Sequence, residues 1–138
     1  MAKIKGEAVY VEVNTGTFGA PVWTKVGNQL DGSMTPAVGD IDVTDKDSAG
    51  WEENLPGNRS VEIEFEAFLV EDDPGYVEMK KGFWDTPPKD LDLRLKTPTK
   101  TYRGYFRLNE QPVEAPVGDA VKVTFSLKLT GALTEAAA

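Results

Sequence analysis

Neither cysteine nor histidine occurs in the 138 residues. Without cysteine there are no disulfides and no thiol chemistry, and the commonest ligands of structural zinc are missing. Without histidine the usual general base near neutral pH is gone, together with Ser-His and Cys-His pairs and most transition-metal sites. Carboxylates and lysines can still run a hydrolysis, but no nucleophile motif such as G-x-S-x-G accompanies them. Long apolar runs are lacking as well, since no stretch approaches the ~20 residues of a membrane helix. The opening "MAKIKGEAVY" has two lysines and no apolar segment behind them, so no secretory signal is expected. Positive charge is scarce, with 15 Lys and Arg against 23 Asp and Glu and a net charge of −8. Nucleic-acid affinity rests largely on Lys and Arg displacing counterions, so a phosphate-backbone clamp is disfavoured. The acidic balance suits a protein that stays soluble, or one that lets DNA pass without holding it.

What is present is two-residue alternation. In "RSVEIEFEAFL", Val61, Ile63, Phe65 and Ala67 share one face and Glu62, Glu64 and Glu66 the other. "DLDLRLK" sets Leu91, Leu93 and Leu95 against Asp92, Arg94 and Lys96. "TYRGYFRLN" sets Tyr102, Gly104, Phe106 and Leu108 against Arg103, Tyr105 and Arg107. "AVKVTFSLKLTG" sets Val121, Val123, Phe125, Leu127 and Leu129 against Lys122, Thr124, Ser126 and Lys128. "EAVYVEV" and "DIDVT" read as further strands, and "VWTKVGNQLDGSMT" as one or two short ones around Val22–Val26 and Leu30–Thr35. One helix is predicted over residues 74–85, with Asp73 as N-cap, Pro74 at the first helical position and Pro87-Pro88 beyond its end. Tyr76, Met79, Phe83 and Trp84 on it are read as core. The length suits one domain, residues 1–138, mainly β with one helix. Within it residues 1–6 are expected as an N-terminal arm and 134–138 as a frayed tail.

The acidic segment of residues 40–70 raises three possibilities. A calcium EF-hand loop starting at Asp45 has Asp47 at position 3 and Gly50 at position 6, but Ala49 falls at 5 and Pro56 at 12, where ligands are needed. A glycosidase requires two carboxylates facing each other across a cleft, a pairing that Glu52, Glu53 and the aspartates leave open. A flexible acidic loop docking onto a partner is the third. The long glutamate strand, for its part, faces bulk water as the outer face of a sandwich or lines an aqueous channel. Lys122 and Lys128, flanking Thr124 and Ser126, would neutralise the glutamate row if the two strands paired.

The stretch "VWTKVGNQLDGSMTPAVGDIDVTDKDSAGWEENLPGNRSVEIEFEAFL" resembles the major tail tube proteins of long non-contractile-tailed bacteriophages. The resemblance rests on Trp23, Val26, Gly27, Ile41, Asp42, Val43, Thr44, Lys46, Asp47, Ser48, Gly50, Trp51, Glu53, Leu55, Pro56, Gly57, Arg59 and Ser60. Gly118-Asp119 before a long strand and Thr130-Gly131-Ala132-Leu133 at its close add to it, so that it spans roughly residues 20–134. It implies a β-sandwich or small barrel flanked by one helix, hexameric rings, and stacking of rings into a tube. In that architecture, shared with contractile tails and type VI secretion tubes, each subunit lends four strands to a continuous inner barrel. Twenty-four strands at ~4.8 Å give a circumference near 115 Å and a backbone diameter of about 37–45 Å, enough for duplex DNA after side chains.

On this resemblance Glu62, Glu64 and Glu66 are expected to face the lumen, with Lys122, Thr124, Ser126 and Lys128 on a neighbouring strand. The loop of residues 45–58 is expected to reach the next ring through Asp45, Lys46, Asp47, Trp51, Glu52, Glu53 and Leu55, with Trp51 and Leu55 as apolar anchors. The implied partners are further copies of the chain, tape-measure, tail-terminator and tail-tip proteins, and double-stranded DNA passing through without sequence-specific binding. The implied location is the virion tail, with the bacterial host cytoplasm during assembly. No cofactor, metal or catalytic residue is expected. Three alternatives remain: a tail-terminator or tail-tip component of the same fold, a carbohydrate-binding β-sandwich using Trp23, Trp51 and Trp84, and a carboxylate hydrolase.

Overall fold

The computed structural model describes residues 3–137. Strands β1 (Tyr10–Asn14), β2 (Trp23–Lys25), β3 (Gln29–Asp42) and β4 (Asn54–Phe68) precede the helix α1 (Pro74–Trp84). Strands β5 (Leu91–Lys96), β6 (Lys100–Glu110), β7 (Val113–Glu114) and β8 (Lys122–Ala137) follow it. They form one antiparallel sheet in the order β2-β1-β5-β6-β8-β4-β3, with β7 alongside β8.

The alternation in the sequence decides which face goes inside. Val61, Ile63, Phe65 and Ala67 of β4 are buried, as are Leu91 and Leu93 of β5, Phe106 of β6, and Val123, Phe125 and Leu127 of β8. Val11 and Val13 of β1 join the same cluster, so the sheet must curl until strands from its two ends share one core. Tyr76 and Met79 of α1 complete it. Each fully buried side chain of this size contributes roughly 1.5–3 kcal/mol. A single amide helps to close the curl. Val11 N donates to Gln29 Oε1 at 3.0 Å, and Gln29 Nε2 donates to Val11 O and Val26 O at 2.7 Å each. The start of β3 is thereby tied to β1, which stands near the other end of the strand order.

Helix α1 is fixed at its first turn. Asp73 Oδ2 accepts from Tyr76 N at 3.1 Å, as an N-cap does, and also from Gly27 N at 3.1 Å in the β2–β3 turn. At Gly75 a Cβ would lie 2.7 Å from Val26 Cα and 2.8 Å from Lys25 O, so the helix backbone sits directly on β2. The helix ends one residue before the sequence reading has it, and its outer end differs in burial. Phe83 and Trp84 are 63% and 69% exposed and pack edge to face on each other, because only the Tyr76 and Met79 side of α1 meets the sheet.

Two expected breaks are absent. The two short strands of residues 30–35 and 40–44 are one strand, β3, which runs in register through Pro36, with register shifts between Gln29 and Gly32 and between Val38 and Asp40. Pro36 is tolerated because β3 is an edge of the sheet. The tail expected to fray from residue 134 is strand to Ala137, where Lys100 to Arg103 of β6 pair with Ala137 to Thr134; residue 138 lies outside the described residues. Of the expected N-terminal arm, residues 1 and 2 also lie outside. Residues 3–5 carry no regular structure, and a single 3-10 turn follows at Gly6–Ala8.

Candidate assembly surfaces

The face of β4 opposite the core carries Glu62, Glu64 and Glu66, all exposed. Strand β8 lies beside it in a register that pairs Glu62 with Lys128, Glu64 with Ser126, Glu66 with Thr124 and Phe68 with Lys122. The seven residues expected on one wet face are thus brought onto adjacent strands. On the far side of β4 the register adds Thr35 and Ser33 of β3, and on the far side of β8 it adds Arg107 opposite Lys128. The resulting surface is a four-stranded ribbon, β3-β4-β8-β6, in which the glutamates of β4 lie between hydroxyl side chains on β3 and cations on β8 and β6. Cross-strand pairs of opposite charge stabilise by roughly 0.2–1 kcal/mol each at most, and less when exposed. Beyond the Gln29 contact with β1, the outer edge of β3 has no strand partner among the described residues.

The loop expected over residues 45–58 is shorter and more ordered than a flexible acidic coil. Asn54 to Arg59 are strand residues of β4, paired with Asp42 to Val38. Turn-type residues run as strand here because Gly57 faces Gly39, where an added Cβ would come to 3.0 Å from Gly39 O. The turn of residues 43–53 is knitted by Val43 N to Glu53 O at 3.0 Å, Glu53 N to Thr44 Oγ1 at 2.9 Å, and Thr44 N to Asp42 Oδ1 at 2.9 Å. The hydrogen bonds from Thr44 hold the Asp42 carboxyl below its ordinary range. Asp45, Lys46, Asp47, Glu52 and Glu53 are all exposed on this tip, and Trp51 is 78% exposed. Leu55 is exposed too, but on β4, opposite Ile41. Val38 and Val43 are exposed as well, so several apolar side chains stand in solvent along an arm that leaves the core behind.

Sequence reasoning missed two features. Asp92 and Arg94, placed on the wet face of β5, are largely covered. Arg103 grips Asp92 through Nε–Oδ1 at 3.0 Å and a second bond to Oδ2 at 2.6 Å, and Asn14 Nδ2 donates to the same Oδ2 at 3.0 Å. Arg94 pairs with Glu12 at 2.9 Å, and the Trp23 ring lies 4.5 Å from the Arg94 guanidinium and 4.9 Å from that of Arg103. The signal was the match of Glu12 and Asn14 with Arg94 and Asp92 across strands. The second is Glu78, buried on α1 and closed on by both Lys81, at 2.9 Å, and Lys89. Burial pushes its carboxyl upward, but the bonds from Lys89 and Lys81 outweigh this and hold it below the ordinary value. A carboxylate so depressed stabilises the fold above the ordinary glutamate pKa of ~4.3, and that contribution is lost as pH falls through the folded value. The acid limb of a melting-temperature series between pH 3 and 7 is therefore expected to be shallower in Glu78→Gln than in the parent. Parallel limbs would show that the clamp does not contribute.

Among the described residues no group of three carboxylates is arranged to hold a metal ion, and the three tryptophans stand on β2, the hairpin tip and the end of α1. A bare strand edge and large exposed apolar side chains mark a subunit built for contact with other chains. The chain belongs to the phage tail tube protein family, whose pattern residues 3–135 match. No curated protein matches it in sequence. Among similar solved structures is the tail of an empty gene transfer agent particle refined with C6 helical symmetry, at 16% identity, TM-score 0.79, and coverage of 94% of this chain and 96% of that one. The SPP1 tail tube superposes at TM-score 0.77 with 12% identity, covering 99% of this chain and 80% of that one. The sheath–tube complex of an extracellular contractile injection system gives 0.67 at 12% identity, covering 99% and 93%. The mainly-β, one-helix expectation agrees with these folds.

Proposed function

We propose that the chain is the major tube subunit of a long non-contractile tail, assembling into hexameric rings that stack into the conduit for DNA ejection. The observation that carries this is the β3-β4 hairpin: an outer edge with no strand partner among the described residues, open to a lateral neighbour, and an arm with exposed apolar side chains extending past the core. In the ring the ribbon β3-β4-β8-β6 supplies four strands to the inner barrel, and closure covers the edge of β3. Glu62, Glu64 and Glu66 then line the lumen, with Thr124 and Ser126 beside them and Lys122 and Lys128 offsetting part of their charge. Counting Arg107, the ribbon sets three cations against the three glutamates, so these residues give the bore no basic surplus that would hold phosphates. Tape-measure, terminator and tip proteins are its partners, and it works as a scaffold without catalysis. The non-contractile reading rests on the motif between Trp23 and Ser60.

Electron microscopy and sedimentation of the purified protein test the proposal. Tubes built of six-fold rings are expected. Single rings that never stack would favour a terminator of the same fold, and a persistent monomer at high concentration would overturn both.

A further inference from the structure

Among the grooves lined by described residues, two larger ones lie away from the hairpin tip. The first, about 590 Å³, runs between β1 and the start of β3 and includes Glu7, Asp31 and Glu64 with no Lys or Arg. The second, about 420 Å³, lies between the end of α1 and the β6–β7 segment and is lined by Tyr76, Phe83, Trp84, Leu108 and Val113, with Lys80 at its rim. Lys80 Nζ sits 5.6 Å from the Tyr76 ring and forms no ion pair among the described residues; Glu110, at the end of β6, also lines the groove. The hairpin tip offers Trp51 within a segment, residues 40–53, whose charged groups are Asp40, Asp42, Asp45, Asp47, Glu52, Glu53 and Lys46. The first groove repels such a segment. The second is apolar enough for an aromatic ring and carries a cation for its escort.

The register places groove and tip at opposite ends of one subunit. Val113 pairs with Val123 and Val123 with Ala67, while Leu108 pairs with Leu127 and Leu127 with Ile63. The groove therefore lies level with Ile63 to Ala67, whereas β4 begins at Asn54 next to the tip. At ~3.3 Å per residue this separation is roughly 30–43 Å, too far for a tip to reach its own groove along a paired hairpin. A tip at one end and a receptor at the other form a heterologous pair, which propagates as a filament when copies align head to tail.

We infer that the groove between α1 and β6–β7 is the receptor for the Trp51 hairpin tip of a second copy, in the adjacent ring. The inference rests on the tube reading above and deepens it by naming both halves of the stacking contact. Aromatic insertion supplies the affinity, and Lys80 against the acidic tip selects orientation.

Because the chain has no cysteine, engineered thiols report the contact cleanly. The double variant Glu52→Cys/Asn109→Cys keeps Trp51 and places one thiol beside it and one in the groove; Glu52→Cys/Val22→Cys is the control, with Val22 outside the groove lining. Oxidised tubes of the first variant are expected to give a covalent ladder beyond dimers on a denaturing gel, and those of the control are not. Lys80→Glu is expected to raise the assembly threshold at least tenfold, and adding Glu53→Lys to recover most of it. Tubes that form normally but show no ladder above control, or a Lys80→Glu defect that Glu53→Lys does not relieve, would overturn the receptor assignment and leave the tube reading intact. Absence of tubes from the parent protein would remove both.

Discussion

Phe125→Ala is expected to lower the unfolding free energy by about 3–5 kcal/mol, the range for a fully buried phenylalanine. The position is chosen by packing. Phe125 has no exposed surface, its ring centroid lies 5.1 Å from that of Phe65 and 6.1 Å from that of Tyr76, and it thus joins β8, β4 and α1. The surroundings of the cavity left behind are held in place: Asp73 caps the helix, the β4–β8 ladder fixes both strands, and Gln29 helps to hold the curl. Little collapse is available to soften the loss. Urea unfolding of the subunit measures it, and at a typical slope the midpoint falls by roughly 2 M. Val117→Ala, on a wholly exposed side chain, serves as the null substitution and is expected within about 0.5 kcal/mol of the parent. A Phe125→Ala loss below about 1 kcal/mol would mean that the three elements do not depend on a shared centre.

The features legible in the sequence are those written in local period. Alternating residues in β4, β5, β6 and β8 assign the inward and outward faces, because a strand buried on one side must repeat every second residue. The helix was legible from Asp73, Pro74 and the prolines beyond it. Complementary charge suggested what Lys122 and Lys128 would do beside the glutamate row if the two strands paired, and the β4–β8 register supplies that pairing. What was not legible depended on non-local contacts. Pro36, Gly39, Pro56 and Gly57 each signal a turn in isolation, and they run as strand only because each half of the hairpin supplies the other with a partner. Ala136 and Ala137 lack any strand signature and are ordered by Lys100 and Thr101 of β6.

The same distinction explains the surfaces. Asp92 and Arg94 read as solvated because alternation reports a face, not whether another segment covers it. Here Arg103, Asn14 and Trp23 close over them. Phe83 and Trp84 read as core because hydrophobic residues on a helix usually are, yet α1 presents only a narrow side to the sheet. Their exposure becomes intelligible once the unit of packing is taken to be larger than one chain. In the proposed tube the outward apolar groups at Trp51, Leu55, Phe83 and Trp84 would meet partners on other copies, which no single-chain pattern can record.

Trp51→Ala is expected to leave the subunit's own stability within about 0.5 kcal/mol of the parent and to abolish tubes. Trp51 is 78% exposed and lies outside the buried core cluster. An aromatic anchor at the centre of an interface contributes about 2 kcal/mol. For one isolated contact, that is only about a thirtyfold change in affinity. In the proposed ring of six, every junction between rings repeats the contact, so the loss approaches about 12 kcal/mol per ring added and stacking ceases at any practical concentration. Trp51→Phe, which keeps an apolar ring, is expected to retain tubes with a raised threshold. The ring-wise argument also sets the shape of a mixing experiment. With variant and parent co-assembled at rising variant fraction, each ring carries a random number of missing anchors, and tube yield should fall far more steeply than the fraction itself. A yield falling in simple proportion would mean that subunits join one at a time through independent contacts, and the ring would no longer be the unit of growth.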